Sequence, residues 1–334
     1  MTLPVWAMNV VGCLAIAPGE RLAVLVDEPL VDAGLRICDA AYERGASASM
    51  SVLPDSARPI ATADAPFVAS LSEVDAVLMW LSTTTTAEFG THRHPIYQRA
   101  QTLGTRVAFG AEIDDDILRY EMSADYEAMQ VRCAAMAVRL ETRRHVRVTT
   151  PAGTDCTFDL EGRSWLIDDG RIDSPSAFGN LPGGEVYIAP VRTGADGVCV
   201  IDCSIAVEGL GILPRPIQLT FREGRIVEVA GGTEADAVRR VIEEAGSGAD
   251  IVAELGIGTN EQARLTGKII TDEKVLGTAH VAFGHNKGSY GGDNEASIHI
   301  DGVMADASIW ADGELAIEQS ITQTPSAPVR RGAM

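Results

Sequence analysis

The hydrophobic pattern of this chain changes character near residue 145, and that change limits the available folds more than any other feature. Upstream, a run that reads as a fully buried strand (21–26) and further strands over 48–53, 74–81 and 106–109 alternate with segments of helical period. The helices are expected over 31–44, ending at Gly45, over 87–102, closed near Gly104, and over 123–141, with Ser123 as cap. Strands that alternate with helices specify a parallel sheet with helical crossovers. Downstream, the runs 146–149, 155–160, 185–189, 197–205, 217–221 and 225–229 are short, alternating or β-branched, and separated by glycine and proline. One helix, 233–245, interrupts them. The pattern predicts an α/β, Rossmann-like domain over 1–144 with a doubly wound, mostly parallel sheet. An α+β, β-rich domain over 145–322 and a loose tail over 323–334 follow.

A chain of 334 residues is long enough for two such cores, and 46% hydrophobic with 22% charged residues is ordinary globular composition. No apolar run reaches the ~20 residues of a membrane helix. The apolar stretch 1–18 lacks a basic leader and a cleavage site, so it reads as a buried first helix of a cytoplasmic protein. A net charge of −20, from 27 Lys+Arg against 47 Asp+Glu, argues against nucleic acid as a partner. The six cysteines, Cys13, Cys38, Cys133, Cys156, Cys199 and Cys203, show no CxxC spacing and read as reduced core residues. Cys199 and Cys203, four apart in one expected strand, would share a face.

The first strand leads into Asp27-Glu28-Pro29 rather than a GxGxxG turn, so nothing supports a dinucleotide site. The polar run Ser82-Thr83-Thr84-Thr85-Thr86, with Glu88 behind it, lies past the end of the third strand, where ligands of open α/β sheets bind. A helix cap is its simpler role. His92 and His94 flank Arg93 and read as surface residues.

Chemistry concentrates in 277–301, GTAHVAFGHNKGSYGGDNEASIHID. As a strand, Ser297-Ile298-His299-Ile300-Asp301 places His299 and Asp301 on one face and the isoleucines on the other. That face offers two metal ligands, or else a polar strand edge. Three further candidates sit in apolar settings: His280, Glu185 in GGEVYIAP and Glu254 in IVAELGIG. Glutamate is rarely buried without a partner, and a cation would satisfy Glu254. Alone, His280 reads equally as a hydrogen-bonded core histidine, and Glu185 as a surface residue on an edge strand. Two imidazoles with three carboxylates suit Zn, Mn, Fe or Co, and the carboxylate surplus favours two ions.

The ordered motifs NLPGGEVYIAP (180–190), AELGIGTN (253–260), GTAHVAFG (277–284) and IHID (298–301) resemble the thermophilic metallo-aminopeptidase family typified by aminopeptidase T. The resemblance covers roughly 120–315. It implies metal ligands at Glu185, Glu254, His280, His299 and Asp301, and a homodimer. The family's tyrosine, seven residues past the histidine matching His280, is replaced by Lys287; Tyr290, Lys287 or His285 is left to face the substrate. The chain is also similar in length and layout to the iron-dependent 2,5-dihydroxypyridine dioxygenases. Those enzymes keep the equivalents of His299 and Asp301, have histidine in place of Glu254, and lack a histidine at His280.

The expected activity is therefore hydrolysis of an amide or peptide-like bond in a small molecule or short peptide. Two divalent ions (Zn, Co or Mn) would activate water, with Glu185 or Glu254 moving the proton and Tyr290, Lys287 or His285 stabilising the oxyanion. The alternative is a ring-cleaving dioxygenase using one Fe(II), with His280, His299 and Asp301 as its triad.

Overall fold

A computed structural model describes residues 2–58, 65–84 and 88–318. It divides into two compact units, Met1–Gln130 with Asp168–Gly183, and Val131–Ile167 with Gly184–Met334. Where a single boundary near 145 is expected, the division falls inside the helix Tyr126–Leu140, and a short later segment returns to the first unit. That return has a cause in pairing: Phe178–Asn180 adds a parallel strand beside Arg106–Gly110. Three residues carry too little alternation to be recognised as a strand in the sequence.

The first unit is built on a parallel sheet ordered Ser47–Leu53, Arg21–Asp27, Ala76–Trp80, Arg106–Gly110, Phe178–Asn180. The strands Ala76–Trp80 and Arg106–Gly110 are buried at every residue, and Arg21–Asp27 at all but its first; apolar runs fill all three, with charged Arg106 and Asp27 buried at their ends. One helix end differs from expectation and another agrees with it. Asp125, not Ser123, caps Tyr126–Leu140: its Oδ1 accepts from Ala128 N at 3.0 Å, while Ser123 Oγ donates to Leu118 O. His94–Leu103 closes on left-handed Gly104, as the glycine predicts. His92 is buried rather than a surface residue, whereas His94 is exposed and pairs with Gln98.

Strand order reverses between Arg21–Asp27 and Ala76–Trp80, and the carboxyl end of the first of these carries buried Asp27. Its Oδ2 accepts from Ser82 N and Ser82 Oγ, each at 2.8 Å, and from Arg58 Nη1 at 2.9 Å. Arg58 reaches on to both oxygens of Glu88 and to Thr83 O. Ser82 thus anchors a buried carboxylate; Thr85 and Thr86 lie outside the described residues.

The second unit contains two seven-stranded sheets. One runs Arg225–Ala230, Ile217–Arg222, Ala195–Ile201, Asp155–Asp159, His145–Thr149, Ser308–Ala311, Glu314–Glu318. The other runs Gly211–Ile212, Ser204–Ile205, His299–Ala305, Thr278–Gly284, Val252–Gly258, Glu185–Ile188, Leu166–Asp168. Their shared core joins Val148, Phe158, Ile201 and Phe221 to Leu255, Val281, Phe283 and Ile300. The helix Thr233–Ala245 matches expectation and packs Ala235 and Val238 into this core.

The run 197–205 is two strands, not one, because the first ends at Ile201 and Asp202 accepts from Ala305 N. Cys199 and Cys203 consequently belong to different hydrophobic clusters. All six cysteines are buried and none forms a disulfide. The expected tail, 323–334, lies outside the described residues. No helix among the described residues is long and apolar enough to cross a membrane.

Candidate metal centre

Four adjacent strands of the second sheet carry the candidate residues, and their register explains why the side chains converge. Gly258 pairs with Glu185, Gly256 with His280, Ala282 with both Glu254 and Asp301, and Gly284 with His299. Cross-strand partners share a face, so Glu185, Glu254, His280, His299 and Asp301 all project from one side. The intervening residues Ile188, Leu255, Ile257, Val281, Phe283 and Ile300 enter the core on the other.

Two local devices make this possible. The register of Val252–Gly258 against Thr278–Gly284 shifts between Val252 and Glu254, a bulge at Ala253. Without it Val252 and Glu254 would share a face; with it Val252 stays in the core and Glu254 turns to the polar side. Asn286 Nδ2 donates to the carbonyl of Ala253 at 3.0 Å and holds the bulge. The second device is Gly256. A Cβ at that position would lie 1.9 Å from His280 Nε2, so the imidazole occupies space that only glycine leaves open.

The donors form a continuous chain. His280 Nε2 lies 3.2 Å from Glu254 Oε1 and 3.3 Å from Glu185 Oε2; His299 Nε2 lies 3.8 Å from Glu254 Oε2 and 3.4 Å from Asp301 Oδ1. Within it, Glu254, His299 and Asp301 form one group of donor atoms all within 4.8 Å of one another, and Glu185, Glu273 and His280 form another. His280 therefore groups with Glu185 and Glu273, and Glu254 completes the set around His299 and Asp301.

His299 is oriented from behind. Its Nδ1 donates to the carbonyl oxygen of His285 at 2.6 Å, which leaves Nε2 to face the carboxylates. Tyr290 stacks on the same ring, with centroids 4.4 Å apart and planes at 27°. Burial opposes charge on His299, yet Tyr290, Asp301 and Glu254 outweigh it and hold the ring well above the usual histidine range. For His280, burial is likewise overcome by the Glu254 hydrogen bond and by the charges of Glu185, Glu273 and Glu254, and its pKa is pushed up to about 9. Asp301 is held below the ordinary carboxylate range: burial works against this, but the charges of His299, His280 and Lys274 prevail.

The residues fit a cation. Glu254 Oε2 is buried and has no hydrogen-bond partner among the described residues, an acceptor that an ion would satisfy. One imidazole with two carboxylates, the imidazole fixed through its far nitrogen, is a donor set for Fe, Mn, Co or Zn.

Two residues of this centre are not visible in the motifs. Lys274 is fully buried, its Nζ 3.0 Å from Glu185 Oε1 and 2.6 Å from Glu273 Oε1. A strand period cannot reveal them, because both follow the short helix Ile269–Asp272 in a turn. The candidates of the 285–290 loop separate: Lys287 pairs with Glu295 at the surface, whereas Tyr290 covers His299 and the His285 ring lies edge-on to Tyr290 at 6.4 Å. Glu185, one of the two expected proton carriers with Glu254, accepts a hydrogen bond from Lys274.

The model of the 2,5-dihydroxypyridine 5,6-dioxygenase family, NicX, matches residues 5–323. The chain belongs to this family. The placement reverses the order of the two resemblances read from the motifs, in which the aminopeptidase came first. Among solved structures, the NicX family member described here is similar to 2,5-dihydroxypyridine dioxygenase from Pseudomonas putida KT2440, with a TM-score of 0.77, 18% identity and 96% of each chain covered. It is also similar to AmpT from Thermus thermophilus, with a TM-score of 0.63, 17% identity, and 92% and 94% of the two chains covered. At these identities the likeness shows a common fold: a parallel α/β sheet unit followed by a β-rich antiparallel one. No curated protein matches the chain.

Proposed function

We propose that this NicX family member is a metal-dependent dioxygenase that opens the ring of a hydroxylated pyridine or similar aromatic, with one Fe(II) held by Glu254, His299 and Asp301. The observation that carries the reading is the convergence of these three donors around an imidazole whose Nδ1 is committed to His285 O. Family membership supports the oxidative chemistry.

Bound there, iron supplies the one-electron chemistry that makes dioxygen reactive towards the ring. The protein's own residues bind and prepare the substrate. His285 is kept below the usual histidine range chiefly by burial, which favours the uncharged ring that can accept a proton from a substrate hydroxyl. Tyr290, stacked on His299, holds the ring of that ligand in place. Tyr187 closes on Tyr290 edge to face, with centroids 6.4 Å apart, and limits its movement.

Metal-assisted hydrolysis is a second reading, favoured by one observation: the adjoining group Glu185, Glu273 and His280 offers donors for a second ion. Protein reconstituted anaerobically with Fe(II) and supplied with 2,5-dihydroxypyridine, other dihydroxypyridines, catechols or dipeptides separates the two. The dioxygenase reading expects oxygen uptake in step with loss of an aromatic substrate. Release of amino acids from dipeptides without oxygen would overturn it in favour of hydrolysis.

A further inference from the structure

Lys274 is the feature of this centre that the proposed chemistry leaves unused. Lysine is almost never fully buried unless its charge is paired, and here the ammonium reaches one oxygen each of Glu185 and Glu273. Those carboxylates, with His280, are the donors of the second candidate metal group. The ammonium therefore lies among the atoms that a second divalent ion would have to share.

It is held there by the fold. Lys274 N donates to Thr271 O at 3.0 Å, and its carbonyl accepts from Asn260 N at 2.8 Å. The preceding turn is pinned by buried Asp272, which accepts from Thr266 N at 2.7 Å and Gly267 N at 2.9 Å. These bonds fix where the side chain starts, and its complete burial against Glu185 and Glu273 keeps the ammonium between the two carboxylates.

We infer that Lys274 is a built-in cation that takes the place of a second metal and restricts the centre to the single ion at Glu254, His299 and Asp301. This rests on the proposed metal site. The lysine balances Glu185 and Glu273 permanently, and any further ion would meet its positive charge at close range with two of its donors already engaged. Removing the charge while keeping an unbranched apolar chain, as in Lys274→Met, should free both carboxylates to bind.

The test is metal stoichiometry. Wild type, Lys274→Met and Lys274→Arg are each equilibrated with excess Mn(II), desalted and analysed for metal per chain, and Mn(II) paramagnetic resonance distinguishes isolated from coupled ions. One equivalent in wild type and Lys274→Arg, and two coupled equivalents in Lys274→Met, is the expected result. Two equivalents in wild type, or one in Lys274→Met, would overturn the inference while leaving the metal site intact. No bound metal in any of the three removes the proposed site itself, and the inference with it. Should Lys274→Met not fold, Lys274→Gln replaces it, with the same two outcomes.

Discussion

His299 Nδ1 donates to the backbone carbonyl of His285 across 2.6 Å, so the orientation of the proposed ligand depends on the main chain of residue 285 and not on its side chain. His299→Ala should therefore lower Mn(II) affinity by at least about 100-fold. His285→Ala should leave affinity unchanged and reduce turnover by about 100-fold or more, the loss expected of a positioned base. Calorimetric titration of both variants, set beside their oxygen uptake, measures the two effects separately. Equal affinity in wild type and His299→Ala would remove this histidine from the metal site.

Gly256→Ala places a methyl group where the His280 ring sits. The backbone strand is paired on both sides, so the imidazole must move. Overpacking of this kind costs about 1–3 kcal/mol. A urea midpoint shifted by that amount, together with altered metal binding, is the expected outcome; an unchanged midpoint would mean that the ring has room to spare.

The charges of the centre make the metal-free protein sensitive to pH. His280 is raised from the ordinary 6.5 to about 9, chiefly against the cost of burial, by the carboxylates around it. A raised pKa means that the folded state holds the proton more tightly than the unfolded one. The stabilisation is complete below pH 6.5 and is lost as pH climbs through about 9. Chemical denaturation of metal-free protein from neutral to alkaline pH should show that decline. His280→Gln should flatten it.

Metal binding should follow the opposite trend. His299 is raised well above the usual range, and an ion at Nε2 must displace its proton. Below the pKa, affinity is expected to rise about tenfold for each unit of pH, since one proton is released per ion. Metal at about 100 times its Kd should raise stability by roughly 2.7 kcal/mol, and a chelator should reverse the gain. Denaturant titrations with and without Mn(II) across neutral pH check both statements.

Much of this centre can be read from the motifs because ligands and core residues alternate along strands. Ile298, His299, Ile300 and Asp301 announce two faces, and the glycines opposite His280 and Glu185 mark where side chains need space. What is not legible arises where period two breaks. The bulge at Ala253 lets Val252 and Glu254 face opposite ways, and no residue type there announces it. Lys274 enters from a turn, and its burial follows from the placement of Glu185, 89 positions earlier in the chain. His92, which its spacing from His94 gives no reason to place inside, is buried by packing. Phe178–Asn180 is a strand because Arg106–Gly110 offers it an edge.

The central claim, oxidative ring opening at an iron held by Glu254, His299 and Asp301, is tested most directly by supplying isotopically heavy dioxygen to the iron-loaded enzyme with a dihydroxypyridine. Mass spectrometry should find both heavy atoms in the ring-opened product, and no such product with His299→Ala. A product labelled only from heavy water would contradict the claim and assign the centre to hydrolysis.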